Sequence, residues 1–331
     1  MMKLATSYFG NRIPRHVRQD LQALRALGFD RVIHTFCEND LAFYPGTLRE
    51  IVAISHDAGL EVQLDPWGVA RIFGGEAFSR WIVEDEDLCQ RGPSGRRLAG
   101  ACLNHPRLRE RMREWIEAAA RTGARWVFWD EPHWVHRGPG NPEGEPCVCR
   151  HCLDRGGDLR AAPPETVERF RAESILRLLG ELVRGATDAG LGSSVCVLPL
   201  DVSGQPALDW DAIARLPGVG EFGTDPYWQA FRISGADARD RFIDLNCEAA
   251  WRACRAAGIP CMLWLQAFRI PQAGEADLFA GTRKLLAHRP ETVAIWGFEA
   301  CAHMSELAAE RPAVVWPGLI ELFHESARGR S

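Results

Sequence analysis

Short apolar runs and longer amphipathic stretches alternate along this chain with a regular rhythm. Runs in which most positions are apolar occur at 3–10 (KLATSYFG), 31–38 (RVIHTFCE), 61–67 (EVQLDPW) and 125–131 (RWVFWDE). They recur in the second half at 193–201 (SSVCVLPLD), 221–228 (EFGTDPYW), 261–268 (CMLWLQAF) and 292–299 (TVAIWGFE). Between them apolar residues return every three or four positions, as in HVRQDLQALRALGF and RLRERMREWIEAAARTG. Several of these stretches close on the Ala-Gly or Thr-Gly of a helix C-cap. A strand that is apolar on both faces has to be covered on both, which is the condition of a parallel sheet packed by helices. Eight such units predict an α/β fold, a (β/α)8 TIM barrel occupying 1–331 as one domain. A doubly wound open sheet has the same alternation, but no Gly-rich phosphate loop follows the first strand. Two segments break the rhythm: 69–106 lengthens the loop after strand 3, and 132–163 the loop after strand 4. Both are expected on the C-terminal face, where barrels of this type place their chemistry.

Composition narrows the setting. Of 331 residues 46% are hydrophobic and 25% charged, the make-up of an ordinary globular chain with a full core. The net charge of -5 and the lack of a basic run argue against a nucleic-acid partner. No apolar stretch nears the roughly 18 residues that span a bilayer. The N-terminus turns polar too soon for a signal peptide, so a cytoplasmic location is expected. A homo-oligomer remains open.

Polar residues at strand C-termini converge on one pocket in a barrel. Strand 1 is followed by Tyr8, Asn11 and Arg12, and strand 2 by Glu38, Asn39 and Asp40. Strand 3 ends in Asp65 and Trp67, and strand 4 in Asp130, Glu131, His133 and Trp134. Asp201 ends strand 5; Asp225, Tyr227 and Trp228 end strand 6; Gln266 ends strand 7; Trp296 and Glu299 end strand 8. Such a mouth is acidic and aromatic. Aromatic faces stack on sugar rings, and a carboxylate pair flanking a glycosidic bond is what its hydrolysis requires. Glu131 stands out because apolar WVFW precedes it and Pro132 follows; apolar neighbours raise a carboxyl pKa, as a general acid needs. Asp225 in TDPYW and Glu299 in WGFEAC share that layout. Asp40, Asp65 and Asp201 read equally well as helix caps or salt-bridge partners. Trp81, Trp115, Trp210, Trp251 and Trp316 fall on helices or loops and read as core.

Eleven cysteines in a chain of this length are not a disulfide scaffold. Cys147, Cys149 and Cys152 lie within one short loop in a C-x-C-x-x-C pattern, close enough to share a zinc ion at small cost in chain entropy. Cys102, in the other long loop, is the preferred fourth ligand, with His151 and Cys89 in reserve. Four thiolates leave no open position, so the zinc is expected to be structural, pinning the two long loops together. Cys37, Cys196, Cys247, Cys254, Cys261 and Cys301 are scattered and read as small core residues.

The segment GRRLAGACLNHPRLRERMREWIEAAARTG, followed by WDEP and CVCRHC, resembles the family 42 β-galactosidases, over about 95–155. The resemblance implies a barrel glycoside hydrolase with Glu131 as general acid/base and a structural zinc on Cys102, Cys147, Cys149 and Cys152. This chain departs from that family at two sites. Asp130 stands where the family has an Asn before the acid, and Gln266 where it has a Glu nucleophile. An amide cannot form a glycosyl ester, so a second carboxylate is sought in Asp225 or Glu299.

The leading expectation is a glycoside hydrolase-like enzyme acting on a terminal sugar or small glycoside. Glu131 is the proton donor and Asp225 the nucleophile or water-activating base, with Glu299 next. Tyr8, Trp67, Trp134, Tyr227, Trp228 and Trp296 would form the platform for the carbohydrate. Asn11, Arg12, Glu38, Asp65, Asp130, His133 and Gln266 would serve its polar groups. Two alternatives remain: a metal-dependent sugar isomerase or lyase using Asp201, Asp225, Glu299 and His303, and a non-catalytic barrel that only binds carbohydrate, which Gln266 favours.

Overall fold

The computed structural model describes residues 2–135, 146–201 and 204–328. Eight parallel strands form a closed ring. They are β1 (Lys3–Tyr8), β2 (Arg31–Thr35), β3 (Glu61–Asp65), β4 (Trp126–Asp130), β5 (Gly192–Val197), β6 (Val219–Thr224), β7 (Cys261–Gln266) and β8 (Thr292–Trp296). Each pairs with its neighbour in the chain, and β8 returns to β1 with Lys3 opposite Thr292. That last pairing closes the barrel and settles the choice against an open sheet. The strands end one to four residues short of the apolar runs that announced them, because the chain turns out of the ladder near the strand-end polar residues.

Alternation along each strand decides which side chains face inward. Ala5, Ile33, Phe128, Cys196, Met262, Trp264 and Ala294 form the interior cluster. On β4, Phe128 points inward, while Trp129 faces the helix Pro106–Arg121 and stacks obliquely on Trp115 at 5.9 Å between ring centroids. Asp130, two residues beyond Phe128, therefore shares its inward direction. The N-terminal end of the barrel is plugged by polar groups instead. Glu221 accepts from Arg31 at 2.6 Å, Ser194 at 2.9 Å and Thr292 at 2.8 Å, so this buried charge has a partner on each side.

The two long loops follow the C-terminal ends of β3 and β4. The one after β3 carries a hairpin, Cys89–Arg91 against Arg97–Ala101. The one after β4 carries the helix Arg150–Gly156, and its residues 136–145 lie outside the described residues. No helix among the described residues is long and apolar enough to cross a membrane.

Candidate active site

Four carboxyl groups gather at the mouth of the barrel. Asp65 ends β3, Asp130 ends β4, Glu131 follows at once, and Asp225 follows β6. Inward alternation places Asp65 and Asp130, while a backbone turn places Glu131. Its φ of 43° lies in the left-handed region, held by its own N–H to the carbonyl of Cys196 at 3.0 Å and by His133 Nδ1 donating to its carbonyl at 2.6 Å. A non-glycine residue in that conformation, immediately before a proline, is strained, and such strain collects at functional sites.

The loop after β3 closes over this cluster through two glycines. Gly74 donates its N–H to the carbonyl of Asp130 at 3.0 Å. A Cβ at Gly74 would collide with the Asp130 carboxylate, and one at Gly75 with the Trp67 ring. Only a chain without side chains here can lie this close to the acids. Next in the loop, Glu76 joins the rim, with 38% of its side chain exposed. The resulting cleft, of about 250 Å³, is lined by Glu76, Asp130, Glu131, Asp225, Tyr227 and Trp296, with Leu198, Phe231 and Phe268. Larger concavities exist, such as one of about 510 Å³ between the helices Pro106–Arg121 and Pro164–Asp188, but they sit on the barrel's flank, away from the strand ends.

Burial governs the protonation of the four acids. Asp65, Asp130 and Asp225 are almost wholly enclosed. All four carboxyls are pushed above their ordinary values, first by loss of water; Asp65, Asp130 and Asp225 are raised further by neighbouring carboxylates. Between Glu131 and Asp225 the hydrogen-bond contact raises Asp225 and lowers Glu131, which stays raised through burial and the nearby Glu76. No Lys, Arg or His forms an ion pair with any of the four among the described residues. Aromatic rings complete the walls: Phe9 stacks on Trp67 at 5.3 Å, and Trp296 lies 5.5 Å from Trp264.

Other expected site residues serve the scaffold. Tyr8 faces outward from β1 and donates to Asp20 at 2.5 Å. Asn11 accepts from Ile13 N–H, and Arg12 forks onto Asp40 while also bonding the Thr35 carbonyl. Glu38 is a latch for the long loop, accepting from Ala70 N–H, Ser79 hydroxyl and Trp81 N–H at 2.6–2.8 Å. Trp134 and Trp228 are buried, their indole N–H groups donating to the Arg171 carbonyl and to Asp277. Gln266 points into the barrel, but its amide is occupied by the backbone of Ala230 and Phe268. Glu299 is exposed on a turn and is absent from the cleft lining. The four residues of the isomerase alternative are likewise dispersed. Asp201 lines a separate concavity, His303 donates to the Phe9 carbonyl, and the four cysteines are the one metal-binding group among the described residues.

Glu76, Phe231 and Phe268 were missed by the sequence reading. Glu76 carries the only signal that was available, its place in the Gly-Gly-Glu of the long loop. The two phenylalanines carry none.

The Sγ atoms of Cys102, Cys147, Cys149 and Cys152 all lie within 4.8 Å of one another, buried. Cys102 stands 3.4 Å from both Cys149 and Cys152. A zinc tetrahedron with bonds of about 2.3 Å would set sulfurs about 3.8 Å apart, so this group can hold such an ion. Backbone N–H groups of Arg91 and Asn104 point at Cys147 and Cys102, each at 3.4 Å, as donors that suit thiolates. Cys89 donates to the Ile82 carbonyl, and His151 lies beside Arg150, so neither of the reserves joins the group. From this cluster the hairpin runs to Gln90. Its amide donates to the Ala101 carbonyl and accepts from Val135 N–H, four residues after Glu131.

No protein-family model matches the chain, and neither does any curated protein. Among solved structures, the catalytic domain of a β-amylase from Paenibacillus polymyxa aligns over 98% of both chains with a TM-score of 0.67 at 9% identity. An endo-1,4-β-mannanase from Rhizomucor miehei aligns over 99% of this chain and 95% of its own, with a TM-score of 0.68 at 11% identity. A GH5_18 protein from Streptomyces cattleya, solved with GlcNAc, aligns over 99% and 80%, with a TM-score of 0.56 at 15% identity. At these identities the likeness is one of fold, the eight-stranded parallel barrel that glycoside hydrolases use.

Proposed function

We propose that this barrel is a glycoside hydrolase acting on a terminal sugar or small glycoside, with Glu131 as general acid and Asp225 as its partner carboxylate. The observation that carries this reading is that Glu131 and Asp225 line one cleft at the barrel mouth, walled by Tyr227 and Trp296, with both carboxyls raised by burial. A general acid must keep its proton near neutral pH, and burial supplies that condition. The barrel of the β-amylase and the mannanase supports the reading at the level of architecture. Retaining enzymes place their carboxyls about 5–5.5 Å apart and inverting ones farther, so a pair in hydrogen-bond contact must part as the sugar enters. Asp225 takes the place that Gln266 cannot fill, since an amide makes no glycosyl ester and this one is bonded to the backbone. The cleft volume of about 250 Å³ suits one ring with its leaving group outside.

The four cysteines are assigned to a structural zinc, which would fix the hairpin and, through Gln90, the segment after Glu131. Metal analysis combined with a panel of aryl glycosides on wild type, Glu131→Gln and Asp225→Asn tests both parts. One zinc per chain and activity lost in both variants is the expected result. Zinc-loaded protein that cleaves no glycoside would remove the hydrolase reading and leave the barrel as a carbohydrate binder.

A further inference from the structure

The acids at the barrel mouth outnumber what hydrolysis needs. Two carboxyls suffice to cleave a glycoside, yet Asp65 and Asp130 are buried beside the working pair and have no cation as partner. Asp65 is the more telling. It is 0% exposed, and both of its carboxylate oxygens are without any hydrogen bond, whereas the buried acids Glu38 and Glu221 are each met by several donors. A buried acceptor left without donors is costly, and groups of this kind are retained where a ligand completes them. Protonation alone does not relieve Asp65, because the added O–H would need an acceptor while the second oxygen stayed bare.

The missing partner must be rich in donors and carry positive charge. Sugar hydroxyls bring one donor each and no charge. An ammonium group brings three donors, no acceptor and a full charge, the complement of a pocket furnished by carboxylates. Trp296 and Tyr227 line the same cleft and offer aromatic faces to a cation. A divalent metal is the other cationic candidate. It needs oxygens gathered to a point, and among the described residues the acids here form no such group.

Resting on the carbohydrate reading above, we infer that the sugar taken by this cleft is an amino sugar, its protonated amine seated on Asp130 with Asp65 behind it. Asp130 lines the cleft and would touch the amine; Asp65 is a positioning residue behind it, whose bare oxygens gain charge once the ammonium is seated. This also accounts for Asp130 standing where the resembled family has an Asn. An amide serves a hydroxyl, whereas a carboxylate serves an ammonium.

Calorimetric titration of the full chain with glucosamine and galactosamine, their N-acetyl forms and the parent hexoses tests this directly, at a pH where the amines are protonated. The amino sugars are expected to bind at least ten-fold tighter than the parent hexoses, with the N-acetyl forms no tighter than the hexoses because they too carry no charge. In Asp130→Asn that preference should fall below three-fold, and Asp65→Asn should lower it as well; thermal melting confirms that each variant is folded. Equal affinity for amine and hydroxyl would overturn the inference, as would a preference for the N-acetyl forms. Competition of the sugars by Mg²⁺ or Ca²⁺, titrated alone beforehand, would also overturn it and make the cleft a metal site. The two readings fail separately. Cleavage of neutral glycosides without amine preference removes the amino sugar and leaves the hydrolase. Selective amine binding without turnover removes the hydrolase and leaves the subsite.

Discussion

Glu131 owes its position to a single backbone turn at the end of an apolar strand, and its chemistry to the absence of water around it. Replacing it by Gln keeps the shape and removes the proton, so kcat/KM is expected to fall about 10²–10⁴-fold, the usual contribution of a general acid. The raised pKa values of Glu131 and Asp225 also set a pH signature. Folded-state pKa values raised by burial mean that the pair holds its proton to higher pH than an ordinary carboxyl, and loses it only as pH rises through that raised value. The alkaline limb of the kcat/KM profile is therefore expected well above the usual carboxylate range of about 4. A limb found within that range would contradict Glu131 as a buried general acid. Gly74 gives a separate test. A methyl group there would run into Asp130 and drive the loop outward, so Gly74→Ala should cost activity at least ten-fold with little change in melting temperature.

The elements that matter most beyond the strands are the two long loops. Glu38 gathers three donors from the loop after β3, and Glu38→Ala would leave two buried N–H groups and a hydroxyl without their acceptor. A loss of about 1–3 kcal/mol is expected by denaturant titration, the usual cost of stranding such groups. The cysteine group ties the hairpin to the loop after β4. Cys102→Ser is expected to abolish zinc binding and expose both loops to limited proteolysis, while far-UV circular dichroism keeps the signal of the barrel. How much of this was legible in the sequence differs by element. The C-x-C-x-x-C spacing brings its own three thiols together, and Cys102, from the other long loop, is the fourth cysteine that the fold sets beside them. Glu38 was read as a sugar ligand because a carboxylate after a barrel strand looks the same whether it faces the pocket or a neighbouring loop.

At the scale of the whole molecule, the two ends of the barrel handle buried charge in opposite ways. The N-terminal end satisfies Glu221 with Arg31, Ser194 and Thr292 and gains a fixed register. The C-terminal end leaves like charges facing one another, which costs stability and creates the site. Glu221→Ala would leave Arg31 with only the half-exposed Glu61 and take the acceptor from Ser194 and Thr292, and is expected to destabilise the fold by about 1–3 kcal/mol, measured by thermal or chemical unfolding. Asp65→Asn should do the reverse. A carboxyl whose folded pKa is raised contributes most below its unfolded pKa and loses that contribution as pH rises. Removing its charge should therefore raise the melting temperature at neutral pH and change little in acid.

What the sequence determined by itself was the alternation of strands and helices, the eight-fold count, the placing of the long loops after β3 and β4, and the local cysteine cluster. These follow from periodicity and short spacing, which are properties of the chain before it folds. Which strand-end side chains meet was decided only in three dimensions. Tyr8, Trp134, Trp228 and Glu299 share the sequence context of Tyr227, Trp296 and Glu131, yet an outward register or one further turn directs them to the core or to solvent. Glu76 reaches the cleft only because Gly74 and Gly75 let a distant loop lie against Asp130. Side-chain direction at the end of a strand depends on φ and ψ of one or two residues and on the neighbours that hold them, and neither is written in local composition.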